Sequence, residues 1–140
     1  MPRLLMVTRL SPILVLLLAA CSQSDSAQQD VQSLSSSAAT VEMTLSAYLD
    51  RSAPQEFTNR TLQQSIREQE KLLSDLEAST QQGSGNPVRD VARSLLETTS
   101  RAQAAVARSD RKDAGQALGE LKGPAQSLRA LAFPDRAAGQ

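Results

Sequence analysis

Few residues in this chain are able to do chemistry, and their spacing limits what they can attempt. Histidine is absent and cysteine occurs once, at Cys21. Metal and haem sites in helical proteins lean on histidine, and a lone thiol closes no disulfide within the chain. Ser109-Asp110-Arg111-Lys112 sets a hydroxyl three residues ahead of an ammonium, a spacing suited to a base-activated nucleophile. The companion elements of such a site, Ser-Asp-Asn and Lys-Thr-Gly, do not occur, so the segment reads as a helix cap. Gly83-Ser84-Gly85 has the backbone freedom to cradle a phosphate, but no Gly-Lys-Ser/Thr follows, and it reads as a turn. Asp30, Glu42, Asp75 and Glu97 fall on expected outer helix faces, and Glu68 and Glu70 are two apart, on different sides of a helix. The expectation is a non-enzyme with no catalytic residue, no metal ligand set and no cofactor.

One thiol remains, and its context is specific. Arg3 and Arg9 precede the apolar run Ile13–Leu18, which exits through Leu18-Ala19-Ala20-Cys21. A basic start, a short apolar run and a small-residue exit make a secretory signal peptide. A spanning helix needs about 20 apolar residues, and Arg9 and Pro12 cut this run short. The exit resembles the lipobox of bacterial lipoproteins: a leucine, two small residues, then cysteine. The resemblance implies a diacylglyceryl group on the Cys21 thiol, cleavage between Ala20 and Cys21, and acylation of the new amino terminus. Two or more palmitate-like chains, at ~0.8 kcal/mol per buried CH₂, hold a protein permanently on a membrane. In that family an aspartate after the cysteine favours the inner membrane; Ser22 implies the outer membrane, with the chain facing the periplasm.

Composition bounds the remainder. Removal of residues 1–20 from 140 leaves enough chain for one domain, with 13 basic residues against 15 acidic. That slightly acidic balance argues against nucleic acid, which attracts a basic field. Residues 21–30 are polar and read as a lipidated flexible tether, whose stretched reach of ~30 Å keeps the folded part near the membrane.

From Val31 the pattern is helical. Val31, Leu34, Ala38, Val41, Leu45 and Tyr48 alternate spacings of three and four, predicting a helix over about 28–51, although Ser35-Ser36-Ser37 weakens it. Pro54 breaks that helix and opens a second, over about 54–82, with Leu62, Ile66, Leu73 and Leu76 inward, Leu72 widening the face and Gln69 interrupting it. A third helix over 87–108 turns Val88, Val91, Leu95, Thr98, Ala102, Ala105 and Val106 inward. A fourth begins at Asp110, in capping-box register with Asp113, and carries Ala114, Leu118, Leu121, Ala125, Leu128 and Leu131. Gly123-Pro124 predicts a kink in it, or two short helices. The fold expected is all-α: an antiparallel four-helix bundle over 31–133, followed by a disordered tail over 134–140. Its core, rich in alanine, should be thin.

Gly115, Gly119 and Gly123 recur every fourth residue along the fourth helix. They form a ridge without side chains, expected either to pack against Ala102 and Ala105 of the third helix or to receive a docked partner helix. A small lipidated helical domain is similar in architecture, though in no motif, to the pilotins, lipoproteins that escort or stabilise secretin channels. The murein lipoprotein family, a continuous zipper ending in a wall-linked lysine, departs from a chain broken by Pro54, Pro87 and Pro124 and ending Gly139-Gln140. The expected function is an outer-membrane lipoprotein whose periplasmic bundle binds protein without catalysis, its partners the membrane and either an envelope protein or a second copy. The alternatives are a structural envelope lipoprotein and an accessory or small-molecule-binding subunit of a transport or enzyme complex.

Overall fold

Apolar residues three and four apart gain most when each helix buries one stripe against its neighbours. In a computed structural model, which describes residues 11–79 and 86–137 and the side chains of 26–78 and 86–135, four helices do so. They are α1 (Ser11–Leu49), α2 (Gln55–Ser79), α3 (Pro87–Ala107) and α4 (Arg111–Ala132), followed by one turn, α5 (Pro134–Ala137). Each long helix packs against its two neighbours around the ring, with a slight diagonal contact between α1 and α3. Antiparallel order shows in the pairings: Arg111 at the start of α4 bonds the end of α1, and Gln55 at the start of α2 bonds the end of α3. At the opposite end, Gln28 Nε2 donates to the Ala132 carbonyl at 2.9 Å and Arg93 pairs with Glu77 at 2.7 Å. No strand occurs among the described residues.

The α1 stripe is as expected from Val31 to Tyr48, all buried. In α3 the expected Leu95, Thr98, Ala102, Ala105 and Val106 are likewise buried, while in α2 and α4 the stripes are rotated. In α2 the buried line runs through Thr58, Leu62, Ser65, Gln69 and Leu76, while Ile66 and Leu73 are half-buried. In α4 it runs through Ala117 and Ala132, so Leu118 is half-buried and Leu131 faces solvent. Alanine fills much of the interior: Ala92, Ala102, Ala105, Ala114 and Ala125 are all at or below 1 % exposure. Alanine lets helices approach closely but removes little apolar area from water, at ~25 cal/mol per Å².

Three expected boundaries move. Helix α1 covers residues 21–30, so the segment expected as a flexible tether is helical. A helix already nucleated extends at small cost, and the Gln28 bond to Ala132 ties this stretch to α4. Helix α4 continues through Pro124 rather than splitting in two. The bond that Pro124 cannot donate falls on the turn of Glu120, whose exposure lets water satisfy the carbonyl. The tail begins as the helical turn α5 rather than as irregular chain. No helix among the described residues is long and apolar enough to cross a membrane.

Candidate functional site

The residues singled out from sequence do not converge. The side chains of Ala20 and Cys21, the expected cleavage and lipidation positions, lie outside the described ones, and Gly83-Ser84-Gly85 lies outside the described residues altogether. The Ser109 hydroxyl bonds a neighbouring glutamine: its Oγ donates to Gln55 Oε1 at 2.9 Å, while Asp110 caps α4, its Oδ1 accepting from the Asp113 amide at 3.0 Å. The glycine row does not pack against α3. Gly119 and Gly123 are exposed, and a methyl added at either would meet nothing within 4 Å. At Gly115 it would meet only Leu49 Cδ1, at 3.9 Å. The row points outward because the α4 stripe centres on Ala117 and Leu121, nearly opposite it.

Two features escaped the sequence pattern. The first is a buried polar pair between α1 and α2. Gln69 is fully buried and its Nε2 donates to Ser37 Oγ at 3.1 Å, while its Oε1 has no partner. The apparent interruption of the α2 stripe is thus its centre, and a serine expected to weaken α1 is the hydrogen-bond acceptor. An unpaired buried carbonyl costs ~1–3 kcal/mol, so this pair offsets part of the stability its burial brings.

The second lies where the α1–α2 and α3–α4 turns meet. Both helices stop with the same hydrogen bonds. The Ser52 amide reaches the Ala47 carbonyl and that of Arg51 reaches Tyr48, while the Asp110 and Ser109 amides reach Ala105 and Val106. This stop puts one residue in left-handed backbone, normally glycine; here Arg51 takes φ 63° and Ser109 φ 60°. A residue with a Cβ costs ~1–2 kcal/mol there. Between the turns opens a cleft of about 470 Å³, lined by Arg51 and Arg111 with Pro54, Gln55 and Ser109. The Arg111 guanidinium sits 4.7 Å from the centre of the Tyr48 ring and its Nη1 donates to the Tyr48 carbonyl at 2.8 Å. A cation over a ring face in this way is held in place as well as attracted. Gln55 Nε2 spans to the Val106 carbonyl at 2.8 Å, fastening the two turns together.

The α3–α4 groove, about 270 Å³, also has arginines, but each is neutralised. Arg101 meets Glu120 at 2.7 Å and Arg108 meets Asp113 at 3.6 Å. The turn cleft has no carboxylate among the described residues that line it. Among the described residues no cluster of acidic or thiol groups is arranged to hold a metal. The Asp113 amide and, less strongly, Arg108 hold the Asp110 carboxyl below its usual range, while burial and nearby Asp75 push Asp30 up. Comparison with known protein families, characterised proteins and solved structures finds no match to this chain.

Proposed function

We propose that this chain is an outer-membrane lipoprotein, held by acyl chains on Cys21, whose periplasmic helical bundle serves as a non-catalytic, protein-binding accessory module. The observation that carries it is Leu18-Ala19-Ala20-Cys21 at the exit of a basic-then-apolar leader, with the only cysteine of the chain at the acylation position. The bundle supports the proposal in a simple way. Helix α1 runs from that exit into the core, and the Gln28 bond to Ala132 fastens it to the end of α4. An anchored chain of this form would stand on the membrane with its turn end pointing away. From Cys21 to Leu49 the helical rise is roughly 42 Å, at 1.5 Å per residue.

The outward glycine row gives the protein-binding part its candidate surface: Gly119 and Gly123 leave bare backbone on the solvent side of α4. The test is Cys21→Ser in cells given a fatty-acid probe. The expected result is an unlabelled, uncleaved precursor; labelling equal to that of the unaltered chain would end the lipoprotein proposal.

A further inference from the structure

The cleft between the two turns has the chemistry of a receptor that the proposed anchoring does not use. We infer that it binds a small oxyanion, a carboxylate or a phosphate, between the guanidinium groups of Arg51 and Arg111. Charge points to it first: among the described residues no carboxylate lines the cleft and none pairs with either arginine, whereas the α3–α4 groove neutralises each of its own. Geometry points to it next. Both side-chain bonds of Arg111 use Nη1, to the carbonyls of Tyr48 and Leu49, so its Nη2 and Nε remain for a ligand. The Tyr48 ring beneath keeps that fork in one place, and a fixed guanidinium fork matches the paired oxygens of carboxylate and phosphate.

Arg51 adds a separate observation. It occupies the left-handed position where glycine is most stable, and its guanidinium has no partner among the described residues. The helix stop needs a left-handed residue there, but it does not need an arginine, whose side chain gains no bond among the described residues. A cleft of about 470 Å³ has room for the oxyanion together with the short chain that bears it, beside the apolar edge of Ala53 and Pro54.

The experiment follows amide and guanidinium NMR signals of the full-length protein during titration with inorganic phosphate and with N-acetylglycine. N-acetylglycinamide serves as the uncharged match, and sodium chloride is added to equal ionic strength as a control. Saturable shifts at Arg51, Ser109 and Arg111 are expected with one or both acids. Saturation by phosphate alone identifies a phosphate receptor, and saturation by N-acetylglycine alone a carboxylate receptor. Arg51→Gly is the decisive variant, because it relieves the left-handed strain while removing the guanidinium. It should raise the unfolding temperature and weaken binding at least tenfold, so that lost binding cannot be lost folding. Arg111→Lys, which keeps the charge without the fork, should also weaken binding. Shifts that grow linearly and match sodium chloride, equal binding of the amide, or full affinity in Arg51→Gly would each overturn the site.

Discussion

The two ends of the bundle are built by different means. At the turn end every helix stop is specified by hydrogen bonds. Two matching helix stops, the Asp110 cap, the Gln55 span and the Arg111–Tyr48 stack interlock four helices within a few residues. At the other end, where α1 enters and α4 leaves, the one ion pair that joins α2 to α3 among the described residues is exposed. There the Arg93–Glu77 pair lies half in solvent and Asp30 faces the like charge of Asp75. The lesson is that a thin, alanine-rich core leaves much of the register to polar contacts, which at the turn end are mostly directed to the backbone and at the entry end include a charge pair on the surface.

The contrast is broken most severely at Tyr48. It is among the largest fully buried side chains and also the platform for Arg111. Tyr48→Ala should lose about 3–5 kcal/mol, as for other buried aromatics, measured by denaturant unfolding. At the opposite end Arg93→Ala removes an exposed pair and should lose less than about 1 kcal/mol. Equal losses at the two sites would mean that the ends contribute alike.

The glycine row runs between the ends and records the same gradient. Gly115, nearest the turns, has Leu49 for a neighbour, whereas Gly119 and Gly123 have open space. With helix propensity the dominant effect, Gly119→Ala and Gly123→Ala should each stabilise the protein by up to about 1 kcal/mol. The Gly115→Ala methyl makes ordinary contact with Leu49, so it too should be tolerated. Destabilisation at Gly119 would show that the row packs against something in the folded protein.

Much of this was legible in the sequence. Stripe spacing gave the all-α class, and the α1 core residues matched one for one because every one of them is apolar or, at Tyr48, aromatic. Thr98, Ala102, Ala105, Ala114 and Ala125 were also legible as inward, and the pattern misled only in parts of α2 and α4. Ser65 and Gln69 carry the α2 axis but look like gaps, and Ala117 and Ala132 carry the α4 axis while Leu118 and Leu131 draw the eye. That rotation of α4 also turned the glycine row from α3 to solvent. The turn cleft was invisible for another reason. Its two arginines lie far apart along the chain, and nothing in Asp50-Arg51-Ser52 signals a left-handed residue, since the usual glycine is missing.

The smallest expected effect separates the ends by sign. The usual aspartate value is 3.8, and folding moves Asp30 above it and Asp110 below it. At Asp110 the backbone amide of Asp113 favours the carboxylate, so its stabilisation is present above the usual value and lost as pH falls through the lowered one. At Asp30 burial and the Asp75 charge disfavour the carboxylate, so folding is penalised at neutral pH and relieved as pH falls through the raised value. Asn serves about as well as Asp at a helix start, so Asp110→Asn keeps the cap and deletes the charge. Unfolding temperatures measured from about pH 7 down to about pH 3 should therefore diverge. Asp30→Asn should exceed the unaltered chain at neutral pH and converge with it in acid, as its aspartate counterpart becomes neutral. Asp110→Asn should fall below the unaltered chain at neutral pH and close that gap only at the acid limit. Shifts of the same sign in both variants would remove the electrostatic difference between the turn end and the entry end, leaving hydrogen bonding as the whole of it.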